Sequence, residues 1–311
     1  MDQRMRLVAG AREALVAAGF VTTDPADLLH SSFDLVARRD AAIVILKAVL
    51  NANSIGDGAL SGMQTLARAV GGSALIIGIR AGDEPIEDGV MYTRAGIPLV
   101  SAGTFRDLVV DGVPPLVYAA SGGFYVNVDS EALRKARHGG LSLGDLAEMA
   151  GVSRRTIRMY EDGMGANLEI ALRLESGLGV ELILPADPLA CRVSEDGPAP
   201  EDGFEGIAGD VFGKLGEIGY RVERADRCPF DAVTHDEIVL LLTAVDQRRP
   251  GLDRRARAIT ALSRILRKHS VIFVDRLGGR KNLEGAPLIG CAELRLVKDR
   301  KKVMELVEER E

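Results

Sequence analysis

Apolar positions along the chain change their period in an order that occurs twice. From Arg4 to Ala18 they recur every three or four residues, as on a helix with one buried face, and Gly19 follows where a left-handed cap would end it. An Asp-bearing run, Phe33 to Ala37, and a continuous apolar run, Ala42 to Leu46, predict two strands, the second buried on both faces. A helix from Ala59 to Val70, an apolar strand from Ser73 to Ile79, and a short strand with a helix from Ile97 to Leu108 complete the set. The order then returns. Helix Asp210 to Ile218 stops at Gly219, and strands Phe230 to Thr234 and Ile238 to Leu242, helix Arg254 to Arg267, strand Ser270 to Asp275 and the segment Ala286 to Leu296 follow. Helices interleaved with apolar strands in this way predict a three-layer α/β domain.

The two sets read as copies. Phe33-Asp34-Leu35-Val36 reappears as Phe230-Asp231-Ala232-Val233. After a one-residue gap, an offset of 196 pairs Val44 with Leu240, Ala48-Val49 with Ala244-Val245 and Leu66 with Leu262. Further on, Ile97-Pro98-Leu99-Val100 meets Ala286-Pro287-Leu288-Ile289.

Between the copies the period is helical. Ser130 to His138 forms one helix after an Asp129/Ser130 cap, and Gly139-Gly140 ends it. Ser142 opens a second helix, with Asp145 placed to close a capping box and Leu143, Leu146, Ala147 and Ala150 as its buried stripe. Gly151 supplies a turn, Val152 fills the core, and Ser153 caps a third helix through Asp162. Asn167 caps a fourth, whose Leu168, Ala171, Leu172, Leu174 and Leu178 are expected to pack back. At about 100° per residue, Ile157 and Tyr160 of the third helix face inward, while Arg155, Arg158, Met159 and Asp162 face away and Arg154 flanks them. Arginines so placed can bond guanine O6 and N7 or grip phosphate. The run Leu143-Gly144-Asp145-Leu146-Ala147 through Val152-Ser153-Arg154-Arg155-Thr156-Ile157 resembles the Cro/lambda-repressor-like helix-turn-helix of xenobiotic-response-element regulators. Ser142, Ser153, Arg154, Arg155, Thr156, Arg158 and Met159 are the residues expected to meet DNA. Leu143 departs from that pattern, because many relatives carry a phosphate-contacting Gln there. The alternative for this module is protein contact.

Charge sharpens the picture. The net −6 is uneven: residues 181–246 hold 5 basic and 15 acidic residues, and residues 247–302 hold 16 basic and 5 acidic. The basic stretch, Arg248-Arg249 through Lys301-Lys302, is either a polyanion surface or a solvated face paired with the acidic stretch before it. The 311-residue chain, 47% apolar with 27% charged residues, has room for two or three globular domains. Ala41 to Leu50, the longest apolar stretch, is interrupted by Lys47 and falls short of the ~20 residues of a membrane span. Cys191, Cys228 and Cys291 have no CxxC spacing, and the opening residues lead into an amphipathic helix rather than a signal peptide. A cytoplasmic protein is expected, without membrane contact.

Catalytic motifs are sparse. Asp34, followed across a turn by Ile43-Val44-Ile45-Leu46-Lys47, is similar to the D…(D/E)xK arrangement of restriction-endonuclease-like nucleases, a superfamily that holds Mg²⁺ between two acids. Ile45 stands where the second acid belongs. In the second copy, Asp231 matches the first acid, and the offset puts Leu241 and Thr243 at the acid and lysine positions. One carboxylate makes a poor Mg²⁺ site, so an inactive nuclease-like scaffold is expected, with Lys47 paired to Asp34. His30, His138, His235 and His269 are isolated, and the Gly-rich turns lack Walker spacing. Neither enzymatic activity nor a cofactor or metal is expected.

The whole layout resembles the archaeal HTH-type transcriptional regulators, through Phe33 to Asp40, Glu87 to Tyr92, Pro115 to Tyr118 and Val152 to Ile157. The resemblance implies α/β plus all-α architecture: nuclease-like repeats over residues 1–126 and 206–311, a helix-turn-helix over 127–184, and a Pro-rich linker over 185–205. It implies sequence-specific binding of double-stranded DNA, as a homodimer, with the transcription machinery as a further partner. A protein that processes structured DNA or RNA, as a nuclease or an inactive subunit of one, is the alternative.

Overall fold

The computed structural model describes residues 2–191, 203–246 and 251–311. Arg248-Arg249 and the middle of the expected linker therefore lie outside the described residues. Along the chain run α1 (Gln3–Ala17), β1 (Val21–Thr22), β2 (Leu35–Arg39), β3 (Ala42–Asn51), α2 (Asp57–Val70), β4 (Ser73–Ala81), β5 (Glu84–Pro85), β6 (Val90–Arg94), β7 (Ile97–Val100), α3 (Ala102–Arg106), β8 (Val117–Ala120) and β9 (Gly123–Val128). Next come α4 (Ser130–His138), α5 (Leu143–Ala150), α6 (Arg154–Glu161), β10 (Ala166–Asn167), α7 (Leu168–Leu178) and β11 (Ile183–Leu184). The chain continues with α8 (Gly206–Glu217), β12 (Arg221–Arg224), β13 (Ala232–His235), β14 (Leu240–Val245), α9 (Leu252–Leu266), β15 (His269–Val274), β16 (Asn282–Leu283), β17 (Ala286–Gly290), α10 (Cys291–Leu294) and α11 (Arg300–Arg310). No helix among the described residues is long and apolar enough to cross a membrane.

The chain divides into two compact units. One gathers residues 1–49, 53–76 and 192–311, and the other gathers 50–52 and 77–191. In the first, strand order β1-β2-β3-β4 is matched by β12-β13-β14-β15, with β17 and then β16 continuing the second sheet. In each copy the first three strands are antiparallel, and β14–β15–β17 run parallel in the second. The pairs Thr93↔Pro98 and Asn282↔Pro287 place the two matching prolines alike, so the repeat extends to the β6–β7 and β16–β17 hairpins.

Register corrects one expectation. Leu35 pairs with Leu46, and its counterpart Ala232 pairs with Thr243; Val36 pairs with Ile45, and Val233 with Leu242. No residue is gained or lost within this hairpin. The positions equivalent to Ile45 and Lys47 are therefore Leu242 and Ala244, not Leu241 and Thr243. A one-residue slip would turn every side chain to the other face, and Thr243 instead bonds the Thr234 hydroxyl in the core. Ile238 is not in the strand either: it lies in the turn before β14, 91% exposed.

Within the first unit the copies embrace. Helix α9 packs on β2 of the first copy, and α2 packs on β12 and β13 of the second. The Ser32 amide donates to Arg227 O at 2.8 Å, Arg38 Nη1 to Leu266 O at 2.7 Å, and Arg68 Nη1 meets Glu223 Oε2 at 3.2 Å. Gly62 permits the approach, because a Cβ there would collide with the carbonyl oxygen of Asp226.

Candidate nucleic-acid interface

The second unit contains the four helices foreseen between the copies. Ser142 Oγ accepts from the Gly144 and Asp145 amides at 3.1 and 3.2 Å, and the Ser142 amide donates to Asp145 Oδ2 at 2.6 Å, completing the capping box. Those bonds from Ser142, with a smaller attraction from Arg154, hold the Asp145 carboxyl below its ordinary value. Gly151 takes φ 71°, the left-handed turn that an ordinary side chain resists. Ser153 Oγ then accepts from the Thr156 amide at 3.1 Å and shares a hydrogen bond with the Thr156 hydroxyl at 2.8 Å. Under these caps Leu146, Ala150, Ile157, Tyr160, Ala171 and Leu174 form one core with Leu133. Leu172, expected in that core, instead stands 49% exposed on α7, whose inward stripe passes through Ala171 and Leu174.

On α6, Arg154, Arg155, Arg158 and Met159 are exposed, Ser153 is exposed at its start, and Thr156 is half-buried. None of the three arginines has an ion-pair partner within 4.0 Å among the described residues. The other end of α6 is pinned by α4. Ser130 Oγ donates to Tyr160 O at 2.8 Å, and Arg134 Nε and Nη2 donate to Glu161 O at 2.9 and 2.6 Å. Arg137 Nε meets the buried Glu161 carboxylate at 2.5 Å. Cations at a helix C-terminus oppose its negative end, so α6 is held at both ends while its outer face stays open. The sequence reading missed this clamp. Its one legible signal was a charged residue, Glu161, following the inward-facing Tyr160.

The acid sites of the copies are occupied by cations. Asp34 is ion-paired to Arg4 and lies 3.3 Å from Lys47 Nζ, its other oxygen accepting from the Ala48 amide at 2.8 Å. Burial pushes the Lys47 ammonium below its ordinary value, outweighing the attraction of Asp34. In the second copy the cation comes from another element. Arg255 on α9 reaches Asp231 with Nη2 at 2.7 Å, Val245 O with Nη1 at 3.1 Å and Pro229 O with Nε at 2.5 Å. Among the described residues, no three His, Cys, Asp or Glu side chains gather as a metal site.

Among the described residues, six cations of the basic stretch are ion-paired within the chain. Arg255, Arg300 and Arg295 pair with Asp231, Asp236 and Asp210 of the acidic stretch, while Arg257, Lys281 and Lys302 pair with Glu284, Glu309 and Glu305.

Comparison with known proteins agrees with this architecture. Residues 4–115 match the PD-(D/E)XK superfamily domain, and residues 131–184 match a helix-turn-helix domain. The chain is 35% identical to a protein of Halorubrum lacusprofundi, covering 99% of this chain and 97% of the relative, and 36% identical to one of Haloarcula marismortui with the same coverage. A Methanosarcina barkeri protein is 32% identical over 96% of this chain and 94% of its own length. All three are named provisionally as HTH-type transcriptional regulatory proteins. No solved structure matches the chain.

Proposed function

Because the chain belongs to this archaeal family of HTH-type transcriptional regulatory proteins, we propose that it binds double-stranded DNA by laying α6 in the major groove, with Arg155 and Arg158 reaching base edges. Ser142, Ser153, Arg154, Thr156 and Met159 complete the contact surface. The observation that carries this reading is a recognition helix fixed at both ends whose arginines, on an open face, have no acid within ion-pair distance among the described residues. Uncommitted cations release counterions from DNA when they meet phosphate, whereas paired ones have less to offer.

One helix-turn-helix spans only a few base pairs, so the protein works as a two-fold dimer on half-sites about one helical turn apart. The α2 and α9 faces already pair the copies within one chain, which leaves dimerisation to another surface. Residues 1–126 and 206–311 act as accessory, non-cleaving domains flanking the reader at 127–184, with 185–205 as linker. The cytoplasm, where three unpaired cysteines stay reduced and the transcription machinery is at hand, is the place of work. Immunoprecipitation of the tagged protein with its chromosomal DNA tests this: a sharp palindromic motif is expected, and diffuse or structure-dependent enrichment would contradict it. Incubation with supercoiled and junction DNA and Mg²⁺ or Mn²⁺ separates the nuclease reading, for which Asp34-dependent cleavage is the required result.

A further inference from the structure

The three arginines of α6 are not equivalent. Arg155 and Arg158, one turn apart, share the outer stripe with Met159. Arg154 turns back toward the start of α5 instead. A Cβ built on Gly144 would lie 3.1 Å from Arg154 Nη2, 3.3 Å from its Nε and 3.3 Å from Ser142 Oγ, so the guanidinium rests against the bare backbone and would have to give by a few tenths of an ångström to admit a side chain there. Backbone conformation does not demand this glycine, which sits in ordinary helical geometry inside α5, where glycine weakens a helix relative to alanine. What the missing side chain permits is the close approach of Arg154 and of the Ser142 hydroxyl. The guanidinium has no acid within 4.0 Å and no hydrogen bond among the described residues; Asp145 attracts it only at longer range. Its donors are thus unspent, between the starts of α5 and α6.

A helix-turn-helix whose third helix lies in the groove carries its preceding helix across the sugar-phosphate backbone. We propose that Arg154, positioned by the bare Gly144, is a sequence-independent phosphate contact, and that among the three arginines only Arg155 and Arg158 read bases. The assignment rests on the DNA-binding reading of α6 and divides its labour. It also supplies a backbone grip in a chain that carries Leu143 where a glutamine would provide one.

The test compares two probes over a series of KCl concentrations: a duplex selected from a random library by the wild-type protein, and a duplex of arbitrary sequence. Arg154→Ala should weaken both about tenfold, the size of one charge-assisted hydrogen bond, and lower the slope of log affinity against log salt by about 1. Gly144→Ala should do the same while its melting temperature stays level or rises, since alanine favours the helix. That opposition of signs is not expected of a purely structural glycine. Arg154→Lys should restore the slope, and Arg155→Ala should weaken the selected duplex alone. If Arg154→Ala weakened only the selected duplex, Arg154 would be a base reader; if Gly144→Ala changed neither affinity nor slope, the positioning role would fail. A wild-type protein that bound neither duplex would overturn the DNA-binding reading itself.

Discussion

Arg255 on α9 and Arg155 on α6 carry the same side chain near the start of a helix and are used in opposite ways. Every nitrogen of the Arg255 guanidinium is bonded inside its own domain, to Asp231, Val245 O and Pro229 O. Arg155 stands exposed, with no ion pair among the described residues. The difference runs through both regions. In the α/β copies the charged groups that resemble a nuclease site, Asp34 with Arg4 and Lys47 and Asp231 with Arg255, neutralise one another. In the helical module, the buried Glu161 and the half-buried Arg137 brace the helix from behind. Counts of arginine and lysine along the sequence therefore do not say which cations are committed. Among the described residues, six cations of the basic segment are ion-paired, whereas residues 129–180, with 7 basic and 8 acidic residues, leave all three α6 arginines exposed and without an ion pair.

The contrast breaks hardest at Asp34. Asp34→Ala should cost about 3–5 kcal/mol in urea denaturation, because it strands Lys47 and Arg4 around a buried site. Its deficit should shrink as pH rises toward the unfolded lysine value of about 10.4. A lysine whose folded pKa lies below its unfolded one destabilises the fold when charged and less once it can shed its proton. An unchanged urea midpoint would show that the site is not a paired scaffold.

On α6 the sign is reversed. Arg155→Ala and Arg158→Ala should each weaken a selected duplex by about 1–3 kcal/mol in fluorescence anisotropy, with melting unmoved. A shifted melting temperature with full affinity would mean that these arginines serve the fold. Smaller again, Glu161→Gln should lower stability by about 1–2 kcal/mol by weakening the Arg137 bond, read from the loss of α6 amide protection. The smallest effect is at Glu293, whose bonds to the buried Arg310 hold its carboxyl below the ordinary value. That contribution is present above the unfolded glutamate value of about 4.3 and is lost as pH falls further. Glu293→Gln should therefore flatten the acid limb of the stability curve slightly, and an acid limb identical to wild type would remove the role.

The helical module was the most legible part of the chain. Caps at Ser142, Ser153 and Asn167, the glycine at 151 and the inward Ile157 and Tyr160 are local features, and local features are visible within one or two turns of sequence. The repeat was legible from Phe33-Asp34-Leu35-Val36 and its copy, but its register was not. The turn sequences of the two hairpins share little beyond an Asp, and only the pairing of Ala232 with Thr243 shows that the one-residue change of offset does not fall within the hairpin. Partners far apart in sequence were invisible for the same reason. Arg4 lies 30 residues from Asp34, and the placement of Arg154 over Gly144 is set by the angle between two helices. Leu172 fitted the apolar period of α7 yet faces out, because that helix buries a narrower stripe than its composition suggests.

The central claim is that α6, and not the basic stretch of the second copy, selects the DNA. Selection of duplexes from a random library by the wild-type protein and by the Arg155→Ala/Arg158→Ala double variant tests it most directly. The wild type should enrich one motif in two half-sites about 10 base pairs apart, and the double variant should retain weak, salt-sensitive binding without any motif. Enrichment of the same motif, at the same strength, by the double variant would contradict it.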